Sequence, residues 1–532
     1  MELNAEHLLK RYASMKAERS VWDSLWEDVA LYVMPNRADF VTKRSKGDKS
    51  RMSKIYDSTA IHSNQILAAS LHISLTSPSA PWFSIRFRQD EVNEDDSAME
   101  WLDDCTARMF NALSESNFNS EVNEMYLDLG AFGTSIVFLE EGSKMGTWGG
   151  LRFDTIHLSE ICIAESEQGK VDTIYRKFDL PARAAVERWG DAEMPKVRES
   201  LDNNPDKKHT FLHCVHPSTD TAYRSEDSKG DVAVPDDRPF YEIYISKDDK
   251  EIVGVNGYYE FPYFVPRWAK ISGDAYGHGP GLVARADIVS LNEAKRLELT
   301  AWEKSIDPPF MAGRNAIVND LHLEPGGLTI VSDMNELRPL GNATRWDVTQ
   351  LKAEDLRQGI RNMFFADQLQ LPERPNATAT EVTLRYEMMQ RLLGPTLGWL
   401  QSELLNPLVE RIFYMMYRAE QFLPPPDSVI EAAPELDIEY VSPLARAQKM
   451  GDVQAIERWV MDLKNMVDVN PGIIDNIDFD EVADILAQRQ GVPAEARRGA
   501  AEREKMREER AAEQQQMMQM QMLMQQQGAP NA

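Results

Sequence analysis

The chain has 532 residues, a formal net charge of −28, 42% hydrophobic residues and 27% charged residues. This length predicts two to four structural units with a real core, and the acidic balance excludes tight binding of nucleic acid over the whole surface. Cys105, Cys162 and Cys214 are scattered and odd in number, which indicates a reducing compartment without a disulfide framework. The N-terminus does not read as a secretory signal, and no apolar run reaches membrane-spanning length. We therefore expect a protein that is cytoplasmic or assembled from the cytoplasm.

The first third of the chain is predicted to be helical. Apolar residues at three- and four-residue spacing predict a helix over 3–34, which Pro35 ends. A basic, glycine-containing loop follows at 36–54. A second helix is expected from Asp57, as its N-cap, to about 75, and one further helical block over roughly 97–130.

The residue pattern changes from helical to strand-like between about 133 and 270. Stretches such as "GTSIVFLEE", "HTFLHCVH" and "FYEIYISK" are β-branched, aromatic and often alternating, which predicts strands. One helix is expected to interrupt them, with Pro181 near its start. Together with the helices on both sides, this pattern predicts a helix-rich α+β protein.

A glycine-rich segment, "GDAYGHGPG", covers 273–281 and is interpreted as a hinge at Gly277, Gly279 and Gly281. A long helix is predicted over 281–305, and "DPPF" at 307–310 ends it. Short strand-like pieces follow at 311–345, and a further helix at 347–370.

A polar loop, "PERPNATAT", separates that helix from the next one. Pro372 and Pro375 end the first helix, while Thr378 and Glu381 have the spacing of a capping box that starts another. The new helix is predicted to run toward 422, with kinks at two prolines inside it, Pro395 and Pro407. Two short helices are expected at 445–465 and 478–490, and the tail at 514–532 is a low-complexity, flexible Met/Gln-rich segment.

Catalytic motifs are missing from the sequence. We find no Walker loop, dinucleotide fingerprint, nucleophile elbow or zincin pair, and we expect neither a cofactor nor an enzyme. The cluster His209, His213, Cys214 and His216 leaves a metal-dependent enzyme as an alternative. Because successive strand residues face opposite sides, a histidine-rich strand without metal is the preferred interpretation. The basic stretch 42–54 is read either as a solvated loop or as a DNA contact.

The co-linear order of these elements resembles the phage portal proteins, the head-to-tail connector family of short-tailed phages. The resemblance lies in "WDSLWEDVALYVMP", "YDSTAIHSNQILAASLHISLTSPSAPWFSI", "GDAYGHGPGLVARADIVSLNEAKRLELTAWEKSIDPPFM" and "ATATEVTLRYEMMQRLLGPTLGWLQSELLNPLVERIFYMM". It extends from about 5 to 490. It implies a homo-oligomeric ring of twelve copies around a channel for double-stranded DNA, in the virion at one capsid vertex and in the host cytoplasm during assembly.

The resemblance also implies a division of the chain into parts. The parts are a wing (1–278 with 381–445), stem helices (279–306 and 346–370), a clip (307–345), a tunnel loop (371–380) and a crown (446–513). The tunnel loop would present Pro372, Glu373, Arg374, Pro375, Asn376, Ala377 and Thr378 to DNA. Asp307, Pro308, Pro309 and Phe310 would form part of a docking region on the clip. The expected partners are the terminase large subunit, tail adaptor or nozzle proteins, and the major capsid and scaffolding proteins. A structural scaffold without a channel is a further alternative.

Overall fold

The computed structural model describes the chain over the following residues: 4–41, 52–78, 81–89, 93, 95–142, 148–190, 192–219, 238–306, 310–312, 337–339, 346–369, 393–432, 436–440, 453, 456–464, 477, 479–490, 503, 506–507 and 510. Over these residues the protein combines long helices with antiparallel sheets. The predicted helix-rich α+β class is therefore confirmed.

Four helices form the first part of the main core: α1 Ala5–Val33, α2 Thr59–Leu75, α3 Asp96–Glu115 and α4 Phe118–Phe132. The side chain of Asn4 caps α1 by accepting the Glu6 N–H at 2.8 Å. The predicted first helix is confirmed to within two residues at each end. Strand β1, Phe83–Phe87, lies between α2 and α3 in the chain.

The start of α2 differs from the sequence-based expectation. Ser58 occupies the N-cap position but makes no side-chain cap bond. Asp57 lies one residue earlier, and its Oδ1 accepts the Thr59 N–H at 3.0 Å. Its Oδ2 accepts two hydrogen bonds from the Arg357 guanidinium, at 3.0 and 2.8 Å. The carboxylate therefore serves both the helix start and a long-range ion pair.

The single helical block expected over 97–130 is wrong, because the chain breaks at Ser116 and Asn117. Ser116 Oγ accepts the Phe118 N–H at 3.1 Å and so starts α4. The Asn117 side chain exchanges hydrogen bonds with the backbone of Phe153, at 2.8 and 2.9 Å. These side-chain hydrogen bonds take the place of the backbone hydrogen bonds that a continuous helix would form at this point.

Two antiparallel sheets follow α4. Strands β2 Val137–Glu141 and β3 Leu151–Thr155 form a three-stranded sheet with β9, Tyr263–Phe264, which comes later in the chain. Five further strands pair with their neighbours in chain order: β4 Ile161–Glu165, β5 Val171–Pro181, β6 Lys208–Pro217, β7 Phe240–Ser246 and β8 Glu251–Tyr258. The strand-rich middle predicted from the sequence is confirmed.

The five-stranded sheet packs against the first half of α1 on one face and contributes to the main core on the other. On one face, Cys162, Cys214 and Ile243 pack against Leu8 and Tyr12 of α1. The opposite face contributes residues such as Ile174 and Val215 to the main core. Burial of the apolar side chains on the first of these faces holds the first half of α1 against the sheet, since each fully buried apolar side chain stabilises by about 1.5–3 kcal/mol.

Two helices, not one, interrupt the strands. The expected helix is α5, Ala182–Trp189, and Pro181 occupies its N-cap position. A second helix, α6 Pro195–Asn203, was not expected from the sequence. Its nine residues bury only Val197 and Ser200, so the helix contributes few apolar residues from which it could be predicted.

The remaining elements are largely helical. They are α7 Pro280–Val283, α8 Arg285–Ile306, β10 Phe310–Ala312, β11 Leu337–Pro339, α9 Trp346–Met363, α10 Ala366–Leu369, helical residues 393–400, a π-helical turn Gln401–Leu405, α11 Asn406–Arg418, α12 Asp427–Ala432, β12 Leu436–Tyr440, helical residues 456–464 and α13 Phe479–Gln490. Strand β12 pairs with β1, and β10 pairs with β11. Helix α8 packs against α9. Among the described helices, none combines the length and the apolar character needed to span a bilayer.

His157 caps the short 3₁₀ turn Leu158–Glu160 in its neutral form. Nδ1 accepts the Ser159 N–H at 3.1 Å, and Nε2 lies 2.8 Å from the carbonyl oxygen of Arg37, to which it donates. Burial lowers the pKa of His157 to about 4. A protonated Nδ1 could no longer accept the Ser159 N–H, so charging the ring breaks the cap.

We expect stability to fall as the pH drops below the usual histidine pKa of about 6.5 toward about 4, because the unfolded state binds the proton more readily. At the low-pH end of this range, protonation of His157 lowers the free energy of unfolding by up to roughly 3 kcal/mol. His157→Asn, whose amide oxygen can still cap Ser159, should flatten part of this slope in urea unfolding across that pH range. The exposed His7→Asn is the matched control. Equal slopes for wild type and His157→Asn would contradict this assignment.

Candidate functional site around Arg267

Arg267 connects three separate parts of the chain. Its guanidinium is 0% exposed, and its Nε donates to Glu403 Oε1 and Oε2 at 3.0 and 3.1 Å. Its backbone N–H donates to Glu403 Oε2 at 3.0 Å. Nη1 donates to the Ala275 carbonyl and Nη2 to the Gly169 carbonyl, both at 3.0 Å. Arg267 thus joins the π-helical turn, the glycine-rich segment and the β4–β5 hairpin.

The charges around Arg267 are balanced. Glu165 also pairs with its Nη1, and Lys270 Nζ lies 2.6 Å from the same carboxylate. Burial alone would lower the pKa of Arg267, but the contacts with Glu403 and Glu165 raise it, so the guanidinium stays charged. A buried ion pair stabilises a fold only when its remaining hydrogen bonds are satisfied, which the two carbonyl groups do here.

The π-helical turn places Glu403 opposite Arg267. Residues 393–418 form one continuous helix, in which Asn406 N–H bonds to the carbonyl of Gln401, five residues earlier. Pro407 follows directly, within the first turn of α11. Since proline clashes with the carbonyl four residues earlier in a regular α-helix, the wider turn accommodates it. Pro395 lies on the exposed side of the helical residues 393–400.

The apolar face of this helix is buried on both sides of the π turn. Its members are Leu393, Leu397, Leu400, Leu404, Leu405, Leu408, Val409, Ile412, Phe413 and Met416.

The three glycines of the predicted hinge lie in close backbone contact with the end of α4. A Cβ atom at Gly279 would lie 2.6 Å from Gly133 N, and one at Gly277 would lie 2.4 Å from Gly133 O. A Cβ atom at Gly281 would lie 2.3 Å from the carbonyl oxygen of Ala131. These glycines are therefore required for packing. Hinge motion at this segment stays a prediction.

Two more arginines hold α11 against the sheets. Arg411, 4% exposed, donates to the carbonyls of Glu260 and Leu139 at 2.7 and 3.2 Å. Arg418 forms a two-pronged pair with the Glu260 carboxylate, with both distances 2.6 Å. Sequence reasoning missed Arg267 and both of these residues. The available signal was a lone arginine in the apolar run "FPYFVPRWAK" and another in "VERIFYMM".

The histidine cluster lies on strand β6, and each ring has a different neighbour. His209 Nδ1 lies 3.0 Å from Asp248 Oδ2, and His216 Nδ1 lies 3.2 Å from the Pro217 carbonyl. His213 contacts the Tyr263 hydroxyl through Nδ1 at 2.7 Å and Glu242 through Nε2 at 3.2 Å. In the part of the chain that the structure describes, no three His, Cys, Asp or Glu side chains are arranged to hold a metal ion. This geometry does not favour the metal-enzyme alternative.

Several predicted site residues lie outside the described residues. These are the tunnel loop 371–380, Glu381 of its capping box, Asp307, Pro308 and Pro309 of the clip, residues 42–51 of the basic loop, and the Met/Gln-rich tail. Phe310 begins strand β10, which pairs with β11. Of the predicted features, the structure brings the glycine segment and the helix around Pro407 together at Arg267.

The chain belongs to the bacteriophage head-to-tail connecting protein family, whose sequence profile matches residues 5–497. The family expected from the order of elements is thereby confirmed. The match includes nearly all of the described structure and stops within the charged segment that precedes the Met/Gln-rich tail.

Two phage proteins are similar in sequence to this chain over most of their length. The chain is 30% identical over 503 residues to a probable portal protein of Bordetella phage BPP-1, covering 92% of this chain and 88% of the relative. It is 28% identical over 504 residues to the portal protein of Salmonella phage epsilon15, with the same coverage of both chains. Similarity of this extent leaves no large part of the described fold without a counterpart.

Two of the solved structures similar to this chain come from gene transfer agent particles. One is a chain of the native virion, with 10% identity, a TM-score of 0.34 and coverage of 78% of this chain and 91% of that chain. Another is from the neck of the native particle, with 9% identity, a TM-score of 0.33 and coverage of 80% and 94%.

We expect Glu403→Gln to destabilise the protein by about 2–4 kcal/mol, because it leaves the buried Arg267 guanidinium without its main counter-charge. Urea unfolding of the purified protein measures this. Glu293→Gln is the matched control, since Glu293 pairs with Arg296 on the surface, where both side chains are about half exposed. The control should behave as wild type. Equal stability of Glu403→Gln and wild type would show that the ion pair does not hold the helix.

Proposed function

We propose that this chain is the portal subunit of a phage, and that twelve copies form a ring around a channel for double-stranded DNA at one capsid vertex. The observation that carries this proposal is the match to two portal proteins over 92% of the chain. Through this channel the genome is packaged, retained and ejected. The protein itself performs no chemistry, and it is located in the virion and, during assembly, in the host cytoplasm.

The contacts of the described residues support a single wing made of 1–278 and 381–445. Strand β12 pairs with β1 over five residues on each strand, and Glu403 binds Arg267. Both segments contribute to the same main core. The packed pair α8 and α9 fits the two stem helices, at 279–306 and 346–370. We assign 307–345 to the clip and 446–513 to the crown.

The charge of the chain suits a channel through which DNA slides. Each ion pair between a basic side chain and a phosphate releases counterions and holds the duplex in place. With −28 charges per copy, the ring repels DNA and keeps such contacts few. Within 371–380, Arg374 is the only basic residue, so the proposed tunnel loop contacts DNA with one positive charge per copy.

The clip is the proposed docking region for the proteins that act at the vertex. The terminase large subunit docks there during packaging, and tail adaptor or nozzle proteins take its place afterwards. Asp307, Pro308, Pro309 and Phe310 contribute to this region. The wing contacts the major capsid and scaffolding proteins.

Replacement of 373–377 with a glycine linker should leave ring assembly intact but reduce packaging or retention of DNA, because the side chains that meet DNA are removed. DNA content of heads from a complementation assay measures this. The same replacement at 203–207, an exposed segment made of the last residue of α6 and the connection to β6, is the control and should have no effect. Normal DNA content with the loop variant would contradict the tunnel-loop assignment.

A further inference from the structure

The break between α9 and α10 lies at a residue with a strained backbone. Phe365 separates the two helices, and its φ is +56°, in the left-handed region. Residues with a Cβ atom rarely adopt this conformation, because the Cβ atom approaches the following carbonyl oxygen too closely. The Phe365 N–H donates to the Asn362 carbonyl, three residues earlier, at 3.1 Å, as at a helix C-terminus. A glycine would take this position without strain, yet the chain places a large aromatic residue there.

The local sequence gives no reason for this break. The sequence predicts one helix over 347–370, and the structure corrects that prediction by dividing the helix at 364–365. No glycine or proline lies between Gly359 and Pro372. Met363 and Ala366, on the two sides of the break, are good helix formers. Contacts with other parts of the protein must therefore hold the broken form, and such conflicts between local preference and fold are typical of strained or functional sites.

An aromatic contact holds Phe365 in its left-handed conformation. Its ring stacks on that of Trp268, with the two centroids 6.3 Å apart and the ring planes inclined by 27°. Trp268 is itself fixed, since it is 7% exposed and its N–H donates to the Gly133 carbonyl at 2.9 Å. Because Trp268 directly follows Arg267 in the chain, the break is tied to the buried ion-pair site.

A hydrogen bond across the break is compatible only with separate helices. Gln358 Nε2 on α9 donates to Asp367 Oδ2 on α10 at 2.7 Å. In a continuous helix these two residues would lie about 13.5 Å apart along the axis and on opposite sides of it. The hydrogen bond therefore stabilises the broken form and would be lost in a continuous helix.

We propose that Phe365 is a conformational switch with two forms. In the observed form it is left-handed and α9 and α10 are separate, whereas in the second form it is right-handed and the two helices join into one. The strain at Phe365 is of the same order as the contribution of one aromatic contact and one hydrogen bond, so the two forms lie close in free energy. Joining the helices changes the direction in which the chain continues toward Pro372. The switch rests on contacts within one copy and is independent of the proposed ring.

The test compares two substitutions that remove the same ring, Phe365→Ala and Phe365→Gly. Both lose the contact with Trp268, but alanine keeps the strain of the left-handed conformation and favours a helix, while glycine does neither. The ratio of the joined to the broken form should therefore be at least tenfold higher in Phe365→Ala than in Phe365→Gly.

Double electron–electron resonance measures the two forms in the full-length protein. Nitroxide labels attached at Lys352→Cys and Gln368→Cys report the distance, since both positions are exposed and the three natural cysteines are buried. Labelled copies are mixed with an excess of unlabelled copies, so that only distances within one copy are measured. A joined helix separates the two backbone positions by about 24 Å, and the broken form gives a shorter distance.

A variant away from the ring keeps the test independent of changes in packing. Gln358→Ala removes the hydrogen bond across the break and should raise the joined form roughly threefold. Asp355→Ala, at an exposed position of the same helix, is the matched control and should match wild type. An unchanged distance distribution in Gln358→Ala, or equal amounts of the joined form in Phe365→Ala and Phe365→Gly, would overturn the inference.

Discussion

The burial of one guanidinium group, that of Arg267, constrains most of the described architecture. A charge without exposure to water needs both counter-charges and hydrogen-bond acceptors. Here they come from Glu403, Glu165 and two backbone carbonyls. Because these partners belong to different elements, the long helix, the β4–β5 hairpin and the glycine segment must lie together whenever Arg267 is buried.

The π-helical turn and the glycines follow from the same constraint. Glu403 reaches Arg267 from a turn that holds one extra residue and that accommodates Pro407. Gly277 and Gly279 then lie so close to Gly133 that side chains larger than hydrogen would collide with its backbone atoms. Helix α8 begins a few residues after this contact, following the short helix α7. The position of the proposed stem is therefore set by the packing of the proposed wing.

Helices and strands that depend on a local apolar pattern were predicted correctly from the sequence. The apolar period of α1 and the alternation of β6 and β7 placed these elements near their observed bounds. The break at Asn117 was not predictable, because it depends on hydrogen bonds to Phe153, 36 residues away. The Arg267–Glu403 pair spans 136 positions, and a single sequence contains no signal for such a contact.

The residues that hold the fold together and the residues proposed to act on DNA or on partner proteins are two separate groups. Arg267, Arg411 and the glycines hold the body together, while the tunnel loop and the clip were proposed from the resemblance to portal proteins. The acidic charge bears on both groups, because in the proposed ring it repels DNA and keeps contacts with the phosphates few.

Negative-stain electron microscopy of the purified full-length chain tests the central claim most directly. The account predicts ring-shaped particles with a central hole, all of one subunit number. Small particles without a hole at every protein concentration would contradict it.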